Sequence, residues 1–173
     1  MDNSEEILNK VATSGLVVID LGDWYDQRKR IQIDLKDYLW QGIALKEKDF
    51  REHLKNLDLN QFKDTLVAVQ CSEDAIIPMW AYMLVVAKLQ PVAAKVVFGT
   101  LEDIDNFLFE ELLNSLDLET YRDKKVVIKG CGKYPIGPHV YMKLTSLLQP
   151  LVSSIMFGEP CSTVPVYKNQ VKK

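Results

Sequence analysis

The strongest constraint on how this chain folds is an internal repeat with an offset of 59 residues. Between residues 76–99 and 135–158, 8 of 24 aligned positions are identical, whereas average composition predicts about 1–2 by chance. The matched stretches include Leu89-Gln90-Pro91 and Leu148-Gln149-Pro150. A repeat of this length is typical of two supersecondary units that share one architecture.

Apolar periodicity divides the two repeats, about 40–99 and 99–158, into alternating helices and strands. Short apolar strands are predicted at 66–70, 95–98, 125–129 and 154–157, and helices at 46–56, 78–89, 104–112 and 138–148. Strands that are apolar on both faces and alternate with helices indicate crossover units in a parallel sheet. Before the repeats, residues 16–21 and 30–35 are predicted to form an antiparallel strand pair.

The fold class that follows is α/β, with a three-layer arrangement and a mostly parallel sheet built from the tandem duplicated unit. We expect residues 1–173 to form a single domain, because domains of about 100–200 residues are usual. A short helix is predicted at 5–12, and residues 162–173 are predicted to form a tail. The order of the strands does not follow from the sequence.

Charge and composition exclude some classes of partner. A net charge of −3 and a pI of about 5.4 argue against a nucleic-acid-binding face. The N-terminus is acidic and no apolar run is long enough to span a bilayer, so we expect no membrane insertion. Three widely separated cysteines are a poor disulfide framework, which predicts a reducing, cytoplasmic location.

The three cysteines are the candidate functional residues, because each follows the predicted end of a strand. Cys71 and Cys131 follow the inner strands of the two repeats, and Cys161 lies four residues after Phe157. Parallel strands of one sheet end at a common edge, where ligands often bind, so we expect the three thiols to lie together. The alternative is that each thiol packs as a small apolar side chain.

Metal binding is the first hypothesis for this group. Thiolates combined with imidazole favour zinc or iron, so Cys71, Cys131, Cys161 and His139 are the predicted ligands. The carboxylate alternatives are Asp74, Glu102 and Glu159. No Cys-x-x-Cys pair is present, so the prediction depends on the expected convergence of strand ends. His139 has a structural alternative, since it aligns with Trp80 and can simply cover the start of a helix.

Two further hypotheses remain open. In one, Cys131 is the nucleophile of a thiol enzyme or a sulfur carrier, acidified by a helix N-terminus. In the other, the cysteines are structural and the chain is a protein-binding scaffold with an apolar face. The cluster Trp80, Tyr82 and Met83 has helical spacing and is predicted to lie in the core.

Four segments carry a resemblance to a known family: residues 71–78, 80–83, 129–131 and 158–165, of which the last is the most specific. They resemble the bacterial family catalogued as domain of unknown function 2480, over residues 16–168. The family has no established activity, so the resemblance implies no catalytic residue. It does imply a role near iron or sulfur handling, with iron–sulfur assembly proteins as expected partners.

Overall fold

Short parallel strands alternate with helices in the computed structural model, which describes residues 15–130 and 132–170. The strands are β1 (Leu16–Asp20), β2 (Arg30–Asp34), β3 (Leu66–Gln70), β4 (Lys95–Phe98), β5 (Lys125–Lys129), β6 (Ser154–Glu159) and β7 (Ser162–Lys168). The helices are α1 (Glu47–Lys55), α2 (Met79–Leu89), α3 (Leu101–Ser115) and α4 (Pro138–Leu148). The predicted α/β class is therefore confirmed, whereas the helix predicted at 5–12 lies outside the described residues. Within those residues, no helix is both long and apolar enough to cross a membrane.

The described strands form two sheets rather than the one that was expected. One sheet has the order β1-β5-β6-β7 and the other has the order β2-β3-β4. All neighbouring strands are parallel except β6 and β7. Contacts divide the chain into a terminal unit, Met1–Tyr25 with Phe109–Lys173, and a central unit, Asp26–Leu108. Each unit contains one sheet. The organisation as a single three-layer domain and its origin by duplication remain predictions.

The prediction of an N-terminal antiparallel strand pair was wrong. β1 pairs in parallel with β5, and β2 pairs in parallel with β3. The absence of a hairpin has a local reason, because each strand ends in an aspartate that caps a 3₁₀ turn. Asp20 accepts a hydrogen bond from the Gly22 N–H at 2.9 Å, and Asp34 accepts one from the Lys36 N–H at 3.1 Å. The two strands belong to different sheets.

Equivalent local contacts recur in the two units at positions 59 residues apart. Asp64 and Asp123 both adopt a left-handed conformation, with φ values of +52° and +59°. Their N–H groups donate hydrogen bonds to the carbonyls of Val92 and Leu151, both at 2.9 Å. Aspartate tolerates this backbone region better than most residues do. In each unit this bond joins the chain just before the inner strand to the segment after the following helix.

The inner strands β3 and β5 lie at the centre of the packing. In the central unit, Val67 and Val69 pack on one side against apolar side chains of α1 and α2. Leu66 and Ala68, on the opposite side of β3, pack against Ile104 of α3. In the terminal unit, Val126 and Ile128 of β5 pack against side chains of α3 and α4, namely Phe109, Leu113, Val140 and Leu144. Helix α3 therefore begins in the central unit and ends in the terminal unit.

Residues 162–168, predicted as part of a tail, instead form β7. This strand lies at the edge of its sheet, antiparallel to β6, and the register shifts between Ile155 and Met156. Pro165 obscures the strand in the sequence, because proline removes a backbone donor and is confined to edge strands and bulges. Its position opposite Met156, beside the register shift, fits that restriction.

Asp34 stabilises the end of β2 electrostatically. Its side chain is 15% exposed and also accepts a hydrogen bond from the Ser72 N–H at 3.0 Å. Burial acts to raise the pKa of Asp34, but hydrogen bonds from Ser72 and Lys36 outweigh it and lower the pKa to about 2. One carboxylate thus ties the end of β2 to the segment after β3.

Replacing Asp34 with Asn is expected to remove an acid-dependent part of the stability. A folded pKa of about 2, against an ordinary value of 3.8, stabilises the folded state by about 2 kcal/mol above about pH 4. Because the pKa is lowered, this contribution is lost as the pH falls from about 4 through 2. The free energy of unfolding in urea, measured across this range, checks the prediction.

The matched control is Asp37→Asn, which removes an exposed carboxylate from the 3₁₀ turn that Asp34 caps. This variant is expected to keep the acid dependence of the wild-type chain. Equal acid dependence in the two variants would show that Asp34 does not carry the effect.

Candidate functional site

Cys71, the first of the predicted site residues, belongs to the central unit. It follows β3, is half-buried and packs at the margin of the central core. Its thiol donates a hydrogen bond to the Glu73 carbonyl at 3.6 Å. These contacts favour the packing interpretation for this cysteine.

Cys161 lies in the terminal unit, exposed in the turn between β6 and β7. Cys131 follows Gly130 in the sequence and is outside the described residues, so the thiol-enzyme hypothesis stays a prediction. Cys71 and Cys161 follow strands of different sheets, so the argument from a common edge of one sheet does not apply to these two residues, and the convergence of the thiols stays a prediction. Within residues 15–130 and 132–170, no group of three or more His, Cys, Asp or Glu side chains can hold a metal ion.

Ion pairs join the strand ends of the terminal sheet. The Lys129 ammonium lies 3.1 Å from a Glu159 carboxylate oxygen and 3.5 Å from an Asp20 carboxylate oxygen. The hydrogen bond to Glu159 raises the pKa of Lys129 despite the opposing effect of burial. Glu159, one of the predicted carboxylate ligands, is therefore already paired. The other two, Asp74 and Glu102, are exposed in the central unit.

His139 lies in the first turn of α4. Its Nε2 atom is buried and has no hydrogen-bond partner among the described residues. The hydrogen bond from Lys143 is the main cause of the lowered pKa of Glu110 on α3, and an electrostatic interaction with His139 is a minor cause. The Lys143 ammonium also donates to the Asn114 side-chain oxygen at 2.7 Å. His139 is thus next to a polar cluster of α3 and α4.

An exposed apolar surface on α2 is the most distinctive feature of the central unit. The inner side of this helix is fully buried and consists of Ala81, Val85 and Leu89. On the outer side, Met79 and Met83 are each 69% exposed and Val86 is 39% exposed. The only charged residue of the helix is Lys88. A helix that is apolar on every side is normally enclosed by protein, so the outer side of α2 has the character of an interface.

Two neighbouring apolar residues extend this surface. Phe98, at the end of β4, is 74% exposed, and its ring makes an edge-to-face contact with Tyr82 of α2 at a centroid distance of 5.5 Å. Burial and, to a smaller extent, Cys71 raise the pKa of Tyr82. Ile76, three residues before α2, is 87% exposed. We call this surface the α2 face, which comprises Ile76, Met79, Met83, Val86 and Phe98.

The equivalent position in the terminal unit is an apolar groove of about 550 Å³ between α4 and the β6–β7 hairpin. It is lined by Ile128, Tyr141, Met142, Thr145, Ser146, Gln149, Ile155, Met156, Phe157 and Val166. Met142 is exposed like its equivalent Met83, but Thr145 and Ser146 replace Val86 and Ala87. The outer side of α4 is therefore more polar than that of α2.

The sequence-based interpretation missed the α2 face because it placed Met83 in the core. That prediction was wrong for Met83, whereas Trp80 and Tyr82 do pack partly against the central core. Helical spacing alone does not distinguish a buried stripe from an exposed apolar one. The signal that could have identified the face is the near absence of polar residues on any side of α2.

Comparison with known proteins identifies the family of the chain. The family model described as "Protein of unknown function (DUF2480)" matches residues 5–169 of the 173-residue chain. No curated protein and no solved structure shows a significant match. The segments around Cys71, the start of α2 and the β6–β7 turn all lie inside the matched range, and the resemblance seen in the sequence is confirmed. The chain belongs to the DUF2480 family of proteins of unknown function.

Proposed function

We propose that the protein is a protein-binding module whose α2 face docks on an apolar surface of a partner protein. The observation that carries the proposal is the exposure of Met79 and Met83, each 69%, on a helix with no polar side. Monomeric proteins rarely expose large contiguous apolar patches without a binding role. A binding role is also one of the alternatives that the sequence left open.

The composition of the α2 face suits an interface core. Methionine and aromatic residues are enriched in interfaces, and methionine adapts its flexible side chain to the surface it meets. Fully burying one large apolar side chain contributes about 1.5–3 kcal/mol, so an interface that covers Met83 and Phe98 has a substantial driving force. The exposed loop with Ser72, Glu73 and Asp74, just before the face in sequence, can form a polar rim.

Replacing Met83 with Glu is expected to weaken partner binding at least about tenfold, because a charge would be buried in the centre of the interface. The fold should persist, since this side chain is already 69% exposed. The matched control is Met142→Glu, which makes the same change at the equivalent position of the terminal unit, where the methionine is 72% exposed. Control binding should equal that of the wild-type chain.

The measurement has two stages. Quantitative affinity enrichment compares the proteins that the wild-type chain and the two variants retain, with iron–sulfur assembly proteins as the first candidates to examine. Titration of each purified candidate then gives dissociation constants for all three chains. Identical dissociation constants for the Met83 and Met142 variants would exclude the α2 face as the binding surface.

Metal binding at the edge of the terminal sheet is a second candidate function. One observation favours it: the Nε2 atom of His139 is buried without a hydrogen-bond partner among the described residues, and imidazole nitrogen is a common ligand of zinc and iron. In addition, the strands that precede Cys131 and Cys161 are neighbours in one sheet. The candidate ligands are therefore Cys131, Cys161 and His139, whereas Cys71 follows a strand of the other sheet.

Elemental analysis of untagged protein purified under nitrogen tests this second function. We expect about one zinc or iron per chain, with clear loss of metal in Cys161→Ser and in His139→Gln. Cys71→Ser is the matched control and should retain the metal content of the wild-type chain. Metal-free wild-type protein, or equal metal content in all three variants, would contradict the assignment.

A further inference from the structure

The two units differ in what covers the edge of the sheet beside the helix. In the terminal unit, β7 pairs antiparallel with β6 and covers its outer edge. In the central unit, β4 is 59 residues before β6 and is an edge strand among the strands that the structure describes. The consequence is visible at the equivalent phenylalanines, since Phe98 is 74% exposed whereas Phe157 is opposite Val164 of β7 and only partly exposed.

We infer that the partner of the α2 face adds an extended strand to the outer edge of β4, antiparallel, as β7 does to β6. This inference rests on the proposed function, because the added strand would lie beside the same face. Addition of a strand to an exposed sheet edge is a recurrent mode of peptide recognition, in which main-chain hydrogen bonds give affinity and alternate side chains give specificity.

The β6–β7 register defines where such a strand would lie. Ser154 is opposite Lys168, Ile155 is opposite Tyr167, and Phe157 is opposite Val164. Subtracting 59 from the β6 numbers places the partner residue that corresponds to Lys168 opposite Lys95. The residues that correspond to Tyr167 and Val164 then lie opposite Val96 and Phe98.

Burial in β4 determines which partner side chains must be apolar. Val96 packs against the α1–α2 core and Phe98 contacts Tyr82, so both project to the α2 side of the sheet. Val97 is 8% exposed and packs with Ile104 of α3 on the opposite side. Partner residues opposite Val96 and Phe98 therefore face the α2 side, and aromatic or β-branched residues suit them.

Charge decides between a second copy of this chain and a different protein as the donor of the strand. Segment 162–168 of a second copy would place Lys168 opposite Lys95, and like charges directly opposite each other destabilise a strand pair. The Lys95 ammonium lies 5.4 Å from the Phe107 ring centroid, on the α3 side of the sheet. The favoured partner is an extended segment of another protein with an acidic residue at this position.

Two synthetic peptides test the inference. One has the sequence of β7, Ser-Thr-Val-Pro-Val-Tyr-Lys, and the other ends in Glu instead of Lys. Titration into the ¹⁵N-labelled full chain, up to millimolar peptide, is expected to shift the amide signals of residues 95–98. The peptide that ends in Glu should bind about threefold more tightly than the other. Lys95→Glu should reverse this order, whereas the matched control Lys48→Glu, exposed on α1, should preserve it.

Backbone methylation separates strand addition from side-chain docking. In an antiparallel pair, the N–H groups of alternate residues point toward the partner strand. N-methylation of the peptide residues whose N–H groups point toward β4 is expected to abolish binding. N-methylation of the alternate residues, whose N–H groups point away from β4, is expected to preserve it. Equal tolerance of both sets would overturn strand addition, while sensitivity of binding to Met83→Glu would still support docking on the α2 face.

Three other outcomes overturn the inference. One is the absence of shifts at residues 95–98 with either peptide. A second is a set of shifts confined to the terminal unit, which would locate the peptide at the β6–β7 groove. The third is concentration-dependent protection of β4 amides without any peptide, which would identify pairing between two copies of the chain.

Discussion

Burial of an inner strand on both of its faces is the constraint on which each sheet depends. Leu66, Val67 and Ala68 of β3 are all fully buried, as are Val126 and Val127 of β5. A strand of this kind needs hydrogen-bonded neighbours along both edges and packed side chains above and below, since its backbone groups have no access to water. Each inner strand has one neighbour from the N-terminal region and another from its own repeat. These pairings determine which strands lie at the edges of the two sheets.

The positions of the strands and helices could be predicted from the sequence, but several of the strand pairings could not. The strands at 66–70, 95–98 and 125–129 agree with the structure, because short apolar runs between turn residues are a local signal. The pairing of β1 and β2 is not local: both strands end in Ile-Asp followed by Leu, and nothing in either one specifies its sheet. Cys71 and Cys161 do follow strands, but the expected convergence of the three cysteines was derived from a single sheet.

The differences between equivalent elements of the two units are more informative about function than their similarities. At the exposed positions of the second helix, valine and alanine in α2 become Thr145 and Ser146 in α4. The terminal unit covers its edge with its own β7, whereas β4 is an edge strand among the strands of residues 15–130 and 132–170. Methionine persists at positions 83 and 142, so one exposed methionine does not by itself mark a binding surface. In the part of the chain that the structure describes, the combination of an apolar helix side and a strand edge without a paired neighbour distinguishes the central unit.

The division of the chain also constrains the order in which it can fold during synthesis. The central unit is continuous in sequence, from Asp26 to Leu108, and its three strands can pair as soon as they leave the ribosome. β1 must wait for β5, because Leu16 pairs with Lys125 across a long stretch of chain, and such distant contacts form slowly. A nascent chain therefore pairs the strands of its central sheet while β1 is still unpaired, so β1 is ordered later than strands that follow it in the sequence.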